Sequence, residues 1–313
     1  MLHPQMQVLT AHGFVPVAKS HRHAVANIDP HTGHLVSYTP CTSEQFPYHG
    51  LMYHITGAVE AMFTPQHPLY ISRSNTQHKR KHPRFERLPA SYIHAPCRWT
   101  RGAAATCLTR ETHIPWARLI GFIIGDGYAS SRNVISFHLS RQRKVDWLTQ
   151  ACQQMNLQLK SHPYRRYTIH APNLGLWARR NLYAPDGHKR IPDYFLSASQ
   201  VAIEALIDGL MASDGHLNTL YTTTSPYVAD NLLALGAISG HVFSLAFRQG
   251  CYRLNHIHRL RYPHVNDVRN QSTAVHETHY SGYVYQITTD TGVIVAKMGM
   301  RSVLIGSELF PRS

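Results

Sequence analysis

Two aspartates occupy equivalent positions in two similar stretches of the sequence. Leu119–Gly127 reads Leu-Ile-Gly-Phe-Ile-Ile-Gly-Asp-Gly, and Ile207–Gly215 reads Ile-Asp-Gly-Leu-Met-Ala-Ser-Asp-Gly. In both, a glycine is followed by four residues and then by Asp-Gly, which places Asp126 and Asp214 at the ends of two apolar runs. Because glycine makes up only about 7% of protein residues, two such matches at the ends of predicted helices are far rarer than one. The repetition indicates a shared role for the two carboxylates.

Metal-assisted hydrolysis is the chemistry that this pair of carboxylates favours. A carboxylate at a helix C-terminus faces the negative end of the helix dipole, which costs roughly 0.3–1 kcal/mol. A divalent cation shared by Asp126 and Asp214 would offset that cost, and with Mg²⁺ such a pair can activate water and stabilise both oxygens of a phosphodiester substitution. Gly121 and Gly209 would let the two helices pack closely. The alternative is that each Asp-Gly only ends a buried helix in a turn.

The elements around the two aspartates are predicted to repeat. Pro115 suits the first turn of the first helix, and Gly127 suits a left-handed residue just after its end. Apolar periodicity and turn residues predict helix, strand, helix, strand, strand, twice. The predicted segments are 115–127, 134–139, 143–155 and the hairpin 157–170, then 197–213, 217–223, 227–238, 241–247 and 252–256.

The charge of the chain favours a nucleic acid as its partner. Thirty-one Lys and Arg residues against 17 Asp and Glu residues give a net charge of +14, and such an excess binds phosphate polyanions by releasing counterions. The alternative is a basic protein without a polyanionic partner. The basic residues predicted to contact DNA are Arg141, Arg143, Lys160, Arg165, Arg166, Arg248 and Arg253.

Several classes of protein are disfavoured by the composition. No run of about 18 apolar residues predicts a membrane span, and the start lacks the pattern of a signal peptide. The five cysteines are scattered without a Cys-x-x-Cys pair, which argues against a disulfide framework and against a zinc finger. We expect a cytoplasmic protein, of a bacterium or a phage-infected host cell.

The two aspartate stretches resemble the paired motifs of the LAGLIDADG homing endonuclease family. The resemblance covers about residues 115 to 260 and implies a pseudo-twofold αββαββα fold whose strands bind the major groove of DNA. By motif position, Asp126 and Asp214 correspond to the acidic metal ligands. Gly125 and Ser213, which precede them, are candidate further metal contacts, and Lys144 is a candidate catalytic basic residue.

The two ends of the chain resemble the halves of a Hint domain, the β-rich domain of inteins. Phe63–Ile71 resembles the block that carries Thr-x-x-His, here Thr64 and His67, and Tyr283 onward is similar to the closing strands. Splicing requires a Cys or Ser nucleophile at the first position and an Asn at the end. The first position holds Met1, and the end reads Val-Leu-Ile-Gly-Ser at 303–307, with no His-Asn pair, so Thr64 and His67 are expected to be remnants in a β scaffold.

The sequence therefore predicts an α+β protein in which a two-repeat endonuclease is inserted into an all-β Hint-like domain. The predicted segments are 1–71 and 281–306 for the Hint-like halves, 72–114 for a basic linker or DNA-contacting arm, 115–280 for the endonuclease and 307–313 for a tail. We expect a monomer that cuts double-stranded DNA at one long site with Mg²⁺, or Mn²⁺ as a substitute. Two alternatives remain: a protein-splicing intein, and a maturase-like protein that binds DNA or RNA without cutting it.

Overall fold

The computed structural model describes residues 1–73, 84–216, 219–257, 262–265 and 273–309. The structure is mixed α+β. Its helices are α1 (Ile114–Asp126), α2 (Gln142–Gln154), α3 (Leu174–Asn181), α4 (Gln200–Asp214) and α5 (Pro226–Ile238), with short 3-10 turns at Val17–Arg22, Ala90–His94 and Asp193–Ser197.

The strands lie before, between and after these helices. Those before α1 are β1 (Gln7–Thr10), β2 (Gly13–Pro16), β3 (Ala24–Ile28), β4 (Leu35–Pro40), β5 (Thr42–Gly57), β6 (Ala61–Phe63), β7 (Pro68–Arg73), β8 (Glu86–Pro89) and β9 (Cys97–Trp99). Those between the helices are β10 (Gly127–Ser131), β11 (Val134–His138), β12 (Leu159–His162), β13 (Arg166–His170), β14 (Gly215–His216) and β15 (Leu220–Thr223). Those after α5 are β16 (Val242–Arg248), β17 (Cys251–Ile257), β18 (His264–Val265), β19 (Thr273–Thr289), β20 (Val293–Met298), β21 (Arg301–Gly306) and β22 (Glu308–Leu309).

The chain forms two compact units. The first, here the β unit, comprises Met1–Leu108, Leu233–Val242 and Ile257–Ser313. The second, here the helical unit, comprises Thr109–Leu232 and Phe243–His256. The domain boundaries given by the sequence remain a prediction.

Strands from both ends of the chain pair in the β unit. β5 and β19 form a long antiparallel ribbon in which Thr42 pairs with Thr288 and Gly57 with Thr273. β20 pairs with β1, β3 and β21 in a six-stranded sheet. Fully buried Phe63 and Trp99 belong to the core of this unit, and the Trp99 indole N–H donates a hydrogen bond to the Leu304 carbonyl. Because a single strand leaves backbone groups unpaired, the two ends depend on each other for their hydrogen bonds.

The basic segment expected at residues 72–114 contains regular structure where it is described. β8 and β9 flank β7 in one sheet, and Leu88 and Ile93 belong to the core of the β unit. These apolar side chains explain why residues 86–99 fold with the unit. Residues 74–83, which hold three of the nine Lys and Arg residues of this segment, lie outside the described residues, and their role as a DNA-contacting arm remains a prediction.

The helical unit contains two copies of one arrangement. The sheets β10-β11-β13-β12 and β14-β15-β17-β16 have the same strand order, and each begins at the residue after α1 or α4. The sequence predicted one strand between a motif helix and the next helix, whereas the structure has two. The additional strands, β10 and β14, were missed because β10 is mostly polar and exposed and β14 has only two residues. Over the described residues, no helix has the length and hydropathy needed to cross a membrane.

Gly127 and Gly215 do not adopt the left-handed conformation that was expected for Gly127. Their φ and ψ angles, −86° and 156° for Gly127 and −75° and 148° for Gly215, are extended. A Cβ on Gly127 would lie 2.9 Å from the Phe137 ring, and one on Gly215 would lie 2.2 Å from the Met211 carbonyl oxygen. Glycine is needed at both positions for a steric reason: the chain turns back against its own helix and leaves no room for a Cβ.

Candidate functional site

The site is built where α1 and α4 cross at close range. A Cβ on Gly121 would lie 2.2 Å from the carbonyl oxygen of Leu206, and one on Gly209 would lie 1.9 Å from that of Arg118. No larger residue fits at either position without moving a backbone. The close packing that the glycine positions predicted is therefore confirmed, and it brings the C-terminal ends of the two helices together.

Asp126 and Asp214 converge at these helix ends on one side chain, Lys144. The Lys144 ammonium, from α2, donates a hydrogen bond of 2.8 Å to Oδ1 of Asp126 and lies 3.4 Å from Oδ1 of Asp214. It also lies 2.7 Å from Oδ2 of Asp126. The side chains of Lys144 and Asp126 are each 14% exposed, whereas that of Asp214 is 40% exposed. One positive charge thus faces two carboxylates.

Burial makes the Asp126 carboxylate electrostatically unfavourable. Desolvation is the largest cause that raises its pKa above the ordinary value, and the charge of Asp214 raises it further. The Lys144 hydrogen bond and charge oppose that shift. Both oxygens of Asp126 lie within 2.8 Å of the Lys144 nitrogen, so this ion pair offsets the buried negative charge.

Lys189 is a second cation at the site, and the sequence analysis did not identify it. Its ammonium donates hydrogen bonds of 3.1 and 3.0 Å to the carbonyl oxygens of Ile123 and Gly125, in the last turn of α1. Burial lowers the pKa of Lys189 to about 8, while Asp214 and Asp126 oppose the shift. A buried lysine in an irregular segment has no periodic signature. A signal in the sequence was its position directly before the Arg-Ile-Pro-Asp stretch that leads into the second motif helix.

The backbone carbonyls at the end of α4 accept hydrogen bonds from a different residue, Arg143. Its guanidinium donates to the carbonyl oxygens of Ala212 and Gly215, at 3.1 and 3.4 Å. Of the two expected additional metal contacts, Ser213 is buried and donates its hydroxyl to the Leu210 carbonyl, and the Gly125 carbonyl accepts from Lys189. Positive side chains at helix C-termini are favourable because they complement the dipole.

Two open cavities flank the aspartates within the helical unit. The first, of about 330 Å³, is lined by both aspartates together with Arg141, Arg143 and Lys144. The second, of about 560 Å³, is lined by both aspartates together with Lys189, Tyr221 and Thr223. Each cavity therefore combines the two carboxylates with at least one cation.

Five of the seven predicted DNA contacts lie on or beside the two sheets, whereas Arg141 and Arg143 lie at the start of α2, beside the aspartates. In the first sheet, the register places Lys160, His162, Arg166, Thr168 and His138 on one face, and Phe137 on the opposite face contacts Phe122 of α1. Arg165 lies in the turn between β12 and β13. In the second sheet, Thr222 pairs with Arg253, and Arg248 is exposed at the end of β16.

The turn between β12 and β13 has an unfavourable backbone conformation. The loop has three residues, 163–165, and Tyr164 and Arg165 both have φ of 60°, a left-handed conformation that glycine and asparagine adopt at lower cost than other residues. The Tyr164 side chain is 90% exposed. Non-glycine residues held there are unfavourable, and the DNA contact of Arg165 at this tip remains a prediction.

The donor set fits a hard divalent cation. No group of three or more His, Cys, Asp and Glu side chains capable of holding a metal occurs among the described residues. The oxygens at the site are the two carboxylates and the carbonyls of the helix ends, and four of these carbonyls already accept hydrogen bonds from Lys189 and Arg143. The carboxylates are therefore the candidate ligands. Mg²⁺ is commonly bound in this manner, by one or two carboxylates with water and substrate phosphate completing its shell.

Thr64 and His67 lie in the β unit and make contacts with Met1. The Met1 amino group donates to the Thr64 hydroxyl at 2.9 Å and lies 3.2 Å from Nδ1 of His67. Burial is the main cause that lowers the pKa of His67 well below its ordinary value, and the positive charges of the Met1 amino group and Arg87 add to it. The remnant role of this pair remains a prediction.

Comparisons with known proteins identify no family for the chain. No protein-family model matches it, and no curated protein is significantly similar. Among solved structures, the chain is similar to a variant of I-DmoI crystallised in complex with its target DNA and in the presence of Mn, with 17% identity and a TM-score of 0.32. The similarity covers 46% of this chain and 87% of the other. A similarity this weak does not establish a function for the chain.

Proposed function

We propose that this chain is a LAGLIDADG-type DNA endonuclease that hydrolyses both strands of a long double-stranded site, using a divalent cation held by Asp126 and Asp214. The observation that supports the proposal is the convergence of these two carboxylates at the ends of α1 and α4, whose close packing requires Gly121 and Gly209. The helix dipole disfavours both negative charges, and burial disfavours that of Asp126. A site that retains them despite this cost suits a cation-dependent reaction.

The cation would be held by the carboxylates of Asp126 and Asp214, with Mg²⁺ as the expected ion and Mn²⁺ as a substitute. When bound, it supplies positive charge that stabilises the attacking and leaving oxygens of a phosphodiester. The chain's own cations act beside it. Lys144 and Lys189 line the two cavities, where each would stabilise negative charge that develops on the phosphate in the transition state.

DNA would lie across the polar faces of the two sheets. Lys160 and Arg166 share one exposed face of the first sheet, and Arg253 lies on the second. Phosphate contacts from such residues position the duplex, and contacts to base edges in the major groove select the sequence. Two similar sheets suit a long recognition site with two unlike halves.

The experiment is cleavage of a library of linear duplexes with a randomised central segment, in Mg²⁺ and in EDTA. The expected result is double-strand cutting at one sequence in Mg²⁺ only, lost in Asp126→Asn and Asp214→Asn, whose DNA affinity should stay within about threefold. Asp208→Asn is the matched control, because Asp208 lies on α4, is about half exposed and pairs with Arg118 rather than with the site. Full cleavage by either site variant would refute the assignment.

A second candidate is a protein that binds DNA or RNA without cutting it. The observation that favours it is Lys144, whose ammonium already compensates both carboxylates and could make a metal unnecessary. Tight and selective DNA binding that is equal in Mg²⁺ and EDTA, without nicking of any selected duplex, would support this candidate over the nuclease.

A further inference from the structure

A separate cavity lies in the β unit. It has a volume of about 520 Å³, and the residues lining it include Tyr70, Phe85, Tyr262, Arg84 and His31. This volume falls in the range of about 300–1,000 Å³ that is typical of ligand sites. None of its lining residues belongs to the phosphodiester site.

Three aromatic rings form a continuous row in this cavity. The centroids of Tyr70 and Phe85 are 5.4 Å apart with planes at 29°, and those of Phe85 and Tyr262 are 5.2 Å apart at 48°. Tyr70 is buried, and its hydroxyl donates to the Pro30 carbonyl at 2.9 Å, which fixes the inner end of the row. Phe85 and Tyr262 are half-buried, so part of each ring is open to a ligand.

The rim of the cavity carries an arginine and a histidine. Arg84 and His31 are both exposed there. The nearby carboxylate of Asp29 accepts the backbone N–H groups of His31 and Thr32 at 2.7 and 3.0 Å, so its charge is engaged by its own loop. The cavity thus combines an aromatic surface with an exposed guanidinium.

We propose that this cavity binds one unpaired nucleotide of a single-stranded nucleic acid, with the base stacked on Phe85 and Tyr262 and the phosphate close to Arg84. A base offers its flat face to an aromatic ring only when it is not stacked inside a duplex, and aromatic rows beside cationic residues are the usual construction of single-strand sites. The net charge of +14 favours a polyanionic ligand over an apolar one. Single-strand binding at this cavity extends beyond the proposed endonuclease activity and does not depend on it.

The test is fluorescence anisotropy of the full chain with labelled 15-nucleotide oligomers, in EDTA so that no cleavage can occur. The probes are oligo-dT, oligo-rU and a duplex of unrelated sequence. Phe85→Ala and Tyr262→Ala should each weaken single-strand binding roughly five- to a hundredfold, the range measured for loss of one stacking partner. Phe85→Trp should bind at least as well as the wild type, and Arg84→Gln should lower the salt dependence by about 0.7 in the log–log slope. The ratio of dT to rU affinity shows which nucleic acid the site prefers.

The matched control is Tyr283→Ala, which removes an aromatic side chain that is 55% exposed on β19 and outside the cavity. It should bind as the wild type does. Unchanged single-strand binding in both alanine variants, or an equal loss for the single strand and the duplex, would overturn the proposal. If Phe85→Ala does not fold, photocrosslinking of 5-iodouracil oligomers to the wild type decides the question. Crosslinks at Phe85 or Tyr262 support the site, and crosslinks confined to other residues contradict it.

Discussion

Lys144 donates a 2.8 Å hydrogen bond to Asp126 from a helix that carries neither of the two aspartates. The contact links α2 to the crossing of α1 and α4. The position of α2 therefore determines how closely the Lys144 ammonium approaches each of the two carboxylates. With the two side chains each 14% exposed, water screens this interaction only weakly, and removal of either partner leaves a charge in a poorly solvated place.

Lys144→Met should destabilise the protein in EDTA, on the order of 3 kcal/mol, because the two carboxylates then lose the one ammonium that contacts both of them. The same substitution should enlarge the rise in melting temperature that Mg²⁺ produces, since the metal replaces the missing charge. Thermal unfolding with and without Mg²⁺ measures both effects. Lys160→Met, at an exposed position of β12, is the control and should change neither. An equal Mg²⁺ effect in Lys144→Met and the wild type would show that no cation binds between the aspartates.

Gly209→Ala should destabilise the helical unit, although alanine is the better helix former by about 1 kcal/mol. The added Cβ would lie 1.9 Å from the Arg118 carbonyl oxygen, and such overpacking typically costs about 1–3 kcal/mol. The separation of α1 and α4 would also move the two carboxylates apart. The cleavage rate should therefore fall even under conditions in which the variant is fully folded. Urea unfolding and cleavage rates on the selected duplex test this. Glu204→Ala, at an exposed position of α4, should stay within about 0.5 kcal/mol of the wild type. A stable and fully active Gly209→Ala would contradict the close approach.

Replacing Tyr164-Arg165 by Asn-Gly should stabilise the protein and weaken its DNA binding. Both residues have φ of 60°, and relief of this conformation should contribute roughly 1–3 kcal/mol. Loss of the arginine and of the exposed ring removes contacts from the tip of the hairpin, so affinity for the selected duplex should fall about tenfold, one lost contact of about 1.4 kcal/mol. Thermal unfolding and a binding titration measure the two effects. A variant that gains stability without losing affinity would show that the tip does not touch DNA.

His67 should make the stability of the protein depend on pH. Burial holds the pKa of its folded form well below the ordinary 6.5, so the unfolded chain binds the proton more readily. The stabilising contribution is fully present above about pH 6.5 and is lost progressively as the pH falls below that value. His67→Gln should therefore lose less stability than the wild type between pH 7 and pH 5, in urea titrations at each pH. His49→Gln, at an exposed position of β5, should follow the wild-type profile, and parallel profiles for all three proteins would rule the effect out.

The sequence predicted the motif helices because their signal is dense and local. Two apolar runs with glycine at the same offset indicate both the helices and their close packing, and the following Asp-Gly marks where each helix ends. Lys189 could not be predicted in the same way, because its contacts with Ile123 and Gly125 join positions more than 60 residues apart. The structural reason for Gly127 was also hidden, since it depends on where the Phe137 ring packs.

The ribbon of β5 and β19 can form only after both strands have been synthesised, which restricts the order in which this chain can fold. Gly57 pairs with Thr273, 216 positions later in the sequence. At a synthesis rate of about 5–20 residues per second, the partner strand leaves the ribosome roughly 10 to 45 seconds after β5 does. During that interval β5 has an unpaired edge, whereas α1 and its sheet, which ends at His170, can already fold as a local unit. A newly made chain is thus exposed to edge-to-edge association through its first 60 residues, and chaperone binding during synthesis should concentrate there.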